Sequence, residues 1–109
     1  MALDGLWIVQ FTGKNILGSG VTVFNNGKVF GGETGFYYIG TYEIDGKVVK
    51  ARVVIRNFDP AIASGFGIVG DYEMDVSAML QDNQMTGTAM ITNQPQHSLG
   101  IRLTKKANL

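Results

Sequence analysis

The 109-residue sequence predicts an all-β fold: an antiparallel up-and-down β-barrel of about eight strands with one short helical turn, forming a single domain over residues 1–109. Three observations carry this. Within residues 18–54, Asn26-Gly27 and Asp45-Gly46 each separate runs of alternating apolar residues. Such dipeptides mark hairpins, because a type I′ turn needs positive φ at both central positions. Further short alternating runs follow at similar spacing to the end of the chain, and closing them into a barrel removes the edges an open meander would expose. Fifteen glycines suit tight corners and strongly coiled strands. A flattened two-sheet sandwich is the alternative architecture.

The strands follow in order. Strand one covers 5–11, with Trp7, Val9 and Phe11 on one face and Leu6, Ile8 and Gln10 on the other. A loop over 12–17 leads to strand two, 18–24. The Asn26-Gly27 turn returns the chain as strand three, 28–32, where Gly31-Gly32 marks a bulge or the strand end. Strand four, 36–44, is rich in aromatic residues; Tyr38 and Tyr42 share a face and Tyr37 takes the other. It turns at Asp45-Gly46 into strand five, 47–57, with Val49, Ala51, Val53 and Ile55 inward. Asp59, Pro60 and Gly65 are placed as N-cap, first helical residue and C-terminal glycine of one or two helical turns. Strand six, 71–80, points Tyr72, Met74, Val76, Ala78 and Leu80 inward. Residues 81–84 turn into strand seven, 85–92, and a break at 93–96 precedes strand eight, 97–105, where Leu99, Ile101 and Leu103 share a face.

Composition narrows the function. Nine basic and nine acidic side chains balance to a net charge of +0, so no excess of Lys and Arg recommends a nucleic acid or an anionic membrane as a direct partner. The absence of cysteine removes disulfides and thiolate chemistry. The first residues lack the basic start and apolar run of a signal peptide, and no stretch approaches the roughly 18 apolar residues of a membrane helix. A soluble cytoplasmic protein is expected.

Several constellations invite chemistry. Gly5-Leu6-Trp7 resembles the Gly-x-Trp signature of lipocalin-like, or calycin, barrels, in which the tryptophan closes one barrel end and a cation from the last strand packs over it. Arg102 is the candidate cation, with Lys105 behind it, although alternation sets Arg102 opposite Leu99, Ile101 and Leu103. Asp71, Glu73 and Asp75 share one strand face at spacing two, where neighbours point in parallel and do not converge on a metal. A charge ladder to Lys50, Arg52 and Arg56 of strand five accounts for them better. His97 has no second histidine or cysteine to complete a metal site or a nucleophile pair. The glycine pattern at 65–70 precedes a strand and not a helix, so no phosphate cradle is expected. No catalytic residue, metal or cofactor is assigned. Tyr38, Tyr42, Tyr72 and Met74 are candidates for lining a cavity. Leu6 and Ile8, with Val48 and Val54, offer an outer apolar face that a second copy could cover.

The run Gly18, Gly20, Val21, Asn26-Gly27-Lys28, Gly31-Gly32-Glu33, followed by 40–43, resembles the GrlR-type negative regulators of type III secretion; Asp4-Gly5 and Asp71-Tyr72 are similar too. The resemblance covers most of the chain. It implies a small lipocalin-like barrel that dimerises and silences a helix-turn-helix activator by binding it, without contacting DNA. It also implies an acidic hairpin motif of four alternating Glu and Asp residues. At that place Glu43 and Asp45 carry over, while Ile44 and Gly46 differ. The expected function is a non-enzymatic negative regulator of type III secretion gene expression, acting on a transcriptional activator or another protein partner. The rival is a lipocalin-like module for a small apolar ligand.

Overall fold

The computed structural model describes residues 3–68 and 70–109; Met1, Ala2 and Val69 of the 65–70 glycine run lie outside the described residues. Eight antiparallel strands pair in sequence order and close into a barrel: β1 (Gly5–Gly13), β2 (Ile16–Asn25), β3 (Lys28–Glu33), β4 (Phe36–Asp45), β5 (Val48–Asn57), β6 (Tyr72–Gln81), β7 (Gln84–Ile91) and β8 (Gln94–Asn108). Closure comes from β1 pairing with β8, in register from Gly5 with Asn108 to Thr12 with Gly100. The sandwich alternative is thereby excluded.

Period-two alternation sets the faces. Trp7 and Val9 on β1, Val49, Val53 and Ile55 on β5, Met74 and Ala78 on β6, and Leu99, Ile101 and Leu103 on β8 are all buried. Each is the inward member of its alternating pair, and together they form one continuous core. The outer positions of β5 carry the charge ladder at Arg52 and Arg56, facing Glu73 and Asp75 on β6 and Asp71 just before it, whereas Lys50 is in register with Ser77 and not with an acid. Arg52 Nε lies 2.9 Å from Asp75 Oδ1 and 3.4 Å from Glu73 Oε1, and Arg56 Nη1 lies 3.1 Å from Asp71 Oδ2. These groups are well exposed, so each pair stabilises by no more than ~1 kcal/mol.

Six of the seven connections are two-residue loops, at 14–15, 26–27, 34–35, 46–47, 82–83 and 92–93. Each holds a residue at positive φ: Asn15, Asn26 with Gly27, Gly35, Gly46, Asp82 and Asn93. Asn26 (φ 51°) and Gly27 (φ 84°) fit the expected type I′ turn. The next hairpin differs by one residue from expectation. Asp45 still pairs with Val48, so the loop is Gly46-Lys47, and positive φ at its first position alone fits type II′. The broad loop expected at 12–17 is also a tight hairpin, since Asn15 supplies the left-handed residue that a glycine would.

The seventh connection, 58–71, was expected to form a helical turn, and among the described residues there is no helix. Asp59 does act as a local cap, with Oδ1 accepting from Ala61 N at 3.0 Å, but Ile62 N bonds back to Asp59 O and the turn stops there. A second turn closes from Gly67 N to Ser64 O. Contacts to the barrel hold this strap instead. Asn57 Nδ2 donates to the carbonyl oxygens of Gly35, Asp59 and Ile62 at 3.0–3.1 Å, and Asn57 N donates to Asp71 Oδ1 at 2.9 Å.

The two barrel ends are closed differently. At the end where the chain begins, Leu3 and Trp7 are fully buried, and the indole Nε1 donates to Leu3 O at 2.8 Å. Trp7 meets Phe24 edge-on at 5.9 Å, and Phe24 meets Tyr42 edge-on at 5.4 Å. Tyr42 Oη then donates to Asp4 Oδ1 at 2.8 Å. The strap covers the opposite end.

Close strand crossing makes Gly87 more demanding than any turn glycine. A Cβ there would sit 2.0 Å from Ser77 O, whereas a Cβ on Gly27 meets nothing within 4 Å and suffers only its φ. Gly27→Ala is expected to cost ~1–2 kcal/mol and Gly87→Ala more than that, read by urea denaturation of both variants.

Candidate binding cavity

The barrel interior is not filled by its own side chains. Above the Trp7–Phe24–Tyr42 plug lies a cavity of about 220 Å³. Its wall is largely aliphatic, from residues such as Val9, Val53, Met74, Ala89 and Leu103, and the strap contributes Ile62 and Phe66 at its far end. Ile62 packs against Gly35, and Gly65 packs against Ile16, which seats the strap on two hairpin tips.

Polar groups gather at the strap end. Alternation along β3 sends Val29, Gly31 and Glu33 inward, so Glu33 enters the cavity wall beside Phe36, its partner across the β3–β4 pair. Tyr38 Oη donates to Glu33 Oε1 at 2.5 Å. Burial raises the Glu33 carboxyl above its ordinary range, and the Tyr38 hydrogen bond offsets this only in part. Burial, reinforced by the Glu33 hydrogen bond and charge, pushes the Tyr38 phenol far above its usual value. Tyr72 is pushed up to about 12, first by burial and then by the charge of Glu33, while a hydrogen bond with Ser64 opposes the rise. Around these groups Phe36 and Phe66 present their rings to Tyr72 at 6.4 and 6.2 Å, and His97 lies edge-on to Phe66 at 5.4 Å. Ser64 is buried, and its hydroxyl accepts from Ile68 N at 3.1 Å.

The residues singled out from the sequence divide into four places. Tyr38, Tyr72 and Met74 line the cavity. Tyr42 is buried on the same face but lower, in the plug, where it holds Asp4; that hydrogen bond, followed by one from Asn26 N, lowers the Asp4 carboxyl despite an opposing desolvation. Trp7 is buried in the plug, whereas Arg102 is exposed on the outer face, paired in register with Gln10 and Thr86. The indole and the guanidinium are thus on opposite sides of the sheet. The basic residue in register with Trp7 is Lys105, whose stem lies over Gly5.

Leu6 and Ile8 point outward and are partly exposed. Leu6 begins a row of directly paired outer positions, Leu6–Val23–Phe30–Ile39–Val54, that spans five strands. Val48 lies outside this row, next to the exposed Met79. Glu43 and Asp45 are exposed on the hairpin at the plugged end, Glu43 directly opposite Lys50. Glu43 and Lys50 also border a surface groove of about 550 Å³ shared with Arg52, Asp75 and Thr88. Among the described residues no group of three or more His, Asp or Glu side chains is arranged to hold a metal ion.

The site residues not singled out from the sequence are Glu33 and the strap residues Ser64 and Phe66. Counting alternation on from Val29 would have placed Glu33 inward. Nothing local marks the strap residues, since long-range contacts place them.

A closed eight-stranded antiparallel barrel, plugged at one end and enclosing an apolar cavity under a strap at the other, defines a lipocalin-like protein. Residues 2–107 match the family model described as T3SS negative regulator, GrlR, and the chain belongs to the GrlR family. The family is one of negative regulators of type III secretion. No curated protein matches the chain.

The raised carboxyl of Glu33 gives a signed pH dependence. Between its ordinary value of 4.5 and its higher folded value, the folded state binds more protons than the unfolded state, so stability falls as pH rises through that window. Glu33→Gln removes this titration. The limb of the stability–pH curve above 4.5 is expected to flatten, measured by denaturation midpoints across the window.

Proposed function

We propose that this chain represses type III secretion gene expression in the cytoplasm by binding a protein partner, a transcriptional activator of the helix-turn-helix class by family likeness or another protein, without contacting DNA. The observation that carries this is the match to the GrlR family over residues 2–107. Net neutrality fits a protein partner better than a phosphate backbone. The exposed Glu43 and Asp45, on a hairpin whose neighbouring groove bears both charge signs, are the proposed recognition residues. Binding to helix-turn-helix activators of the host, measured by titration calorimetry, is expected to weaken at least tenfold in the Glu43→Lys/Asp45→Lys variant with its melting midpoint unchanged. Undiminished binding would remove the acidic pair from the interface, and no binding by the parent chain would sink the activator mechanism.

The chain is further proposed to act as a homodimer through the outer row that starts at Leu6, with Ile8 alongside. Phe30 and Ile39 in this row are 43% and 45% exposed. At ~4.8 Å between strands, five paired positions make a band roughly 19 Å wide, a patch of the kind that marks protein contact. Light scattering at micromolar concentration is expected to give twice 11.8 kDa, and Ile39→Glu to return the mass to 11.8 kDa.

The cavity favours a second reading, a module for a small apolar ligand, which is compatible with the first. A volume of about 220 Å³ exceeds the ~150 Å³ apolar cavities known to bind benzene. A melting midpoint that does not rise with any short-chain alcohol would count against it.

A further inference from the structure

We infer that the cavity takes a short alkylammonium amphiphile, with Glu33 and Tyr38 as the head-group subsite and the aliphatic wall as the tail subsite. This rests on the reading of the cavity as a small-ligand site and adds the chemistry of the ligand.

Three features select that head group. First, among the described residues lining the cavity there is no lysine, arginine or histidine, and Glu33 is the one carboxylate. A carboxylate or phosphate head would meet no cation there, and its oxygens would face the acceptor oxygens of Glu33 in a poorly solvated site. Secondly, Glu33 is held for use. An ionised carboxylate offers about four acceptor sites, and Tyr38 fills one of them at 2.5 Å, which fixes the group while leaving capacity for a further donor. Thirdly, the surroundings are aromatic. Tyr38, Tyr72, Phe36 and Phe66 share the cavity wall with Glu33, and the Tyr72 ring meets those of Phe36 and Phe66 at centroid distances of 6.4 and 6.2 Å. Aromatic faces attract cations, and an aromatic cluster with a carboxylate is the chemistry that recognises ammonium groups.

The tail is bounded by volume. At ~30 Å³ per water-sized group, a cavity of about 220 Å³ holds a ligand of about seven heavy atoms, so a six-carbon chain is matched. The strap lies over the polar end, with Ser64 and Phe66 in the wall. The head group therefore sits beneath the strap and the tail points toward the Trp7 plug.

Hexylammonium, hexanol and hexanoate are the probes, titrated into the full chain at neutral pH and fixed ionic strength, with calorimetry for affinity and the Met74 and Ala89 methyl NMR signals to report occupancy of the cavity. Hexylammonium is expected to bind at least tenfold tighter than hexanoate and severalfold tighter than hexanol. Glu33→Gln keeps the shape of the side chain and an oxygen for Tyr38; it should lower hexylammonium affinity at least fivefold and leave hexanol within twofold. Hexanoate binding as tightly as hexylammonium, or an unchanged hexylammonium affinity in Glu33→Gln, overturns the head-group assignment while hexanol binding keeps the cavity reading intact. Binding of none of the three overturns both.

Discussion

Pairing of the first strand with the last is the constraint on which the rest depends. β1 and β8 meet across nearly the whole chain, from Gly5 with Asn108 onward, and only this ladder turns a meander into a closed wall. Without it both strands would present unpaired N–H and C=O groups, and the interior would open to water. The closure also brings Trp7 beneath the barrel with Lys105 across from it, and Leu3 and Asp4 can then tie the plug to Trp7, Tyr42 and Asn26. Contacts so distant in sequence must overcome loop-closure entropy before they stabilise. Short turns offset part of that cost, because each two-residue loop fixes one hairpin locally before the ends meet.

Side-chain faces were legible in the sequence because the period of a strand is two. The inward sets on β5, β6 and β8 follow from alternation alone. Strand ends were less legible, for identifiable reasons. Asn15 does the work of a turn glycine without being one, so the hairpin at 14–15 reads as a loop. The segment after Asp59 carries capping and proline signals that an isolated β-turn shares with a helix. The choice between them is made by Asn57, Gly35 and Ile16, which hold the strap down from other elements. Arg102 illustrates a different lapse, in which a motif expectation competed with parity; on β8 the inward side runs Leu99, Ile101, Leu103, Lys105, and parity prevailed.

Face is not height, and this limited how much of the site could be read. Tyr38 and Tyr42 lie on one face of β4, yet four residues of strand rise about 13 Å, enough to put one at the cavity's polar end and the other in the plug. Tyr72 and Met74, both at the strap half of β6, fall within the cavity. Glu33 follows two glycines at what reads as a strand end, so its inward parity is hidden by the expectation that the strand has stopped. Its pairing with Phe36 shows that the ladder runs to the last residue before the turn.

The β3–β4 hairpin is where the dimer reading and the ligand reading meet. Its inward positions supply Glu33, Phe36 and Tyr38 to the cavity, and its outward positions supply Phe30, Tyr37 and Ile39 to the exposed apolar face. The strap touches both sides of this hairpin, through Ile62 on Gly35 at the tip and through Phe58 beside Tyr37 outside, at a ring separation of 6.4 Å. Coupling between two sites requires an element with two arrangements that each site biases. The two-residue turns cannot supply it, since moving them breaks ladder bonds on both flanking strands. The strap is less bound by ladder bonds: its backbone link to the hairpin tip is Phe58 N to Gly35 O at 3.0 Å, and Asn57, Arg56 and Asp71 supply the polar side-chain contacts that hold it. A ligand that changed the seating of Ile62 or Phe66 would therefore reach the outer face through Phe58 and Tyr37 while the barrel wall stayed intact.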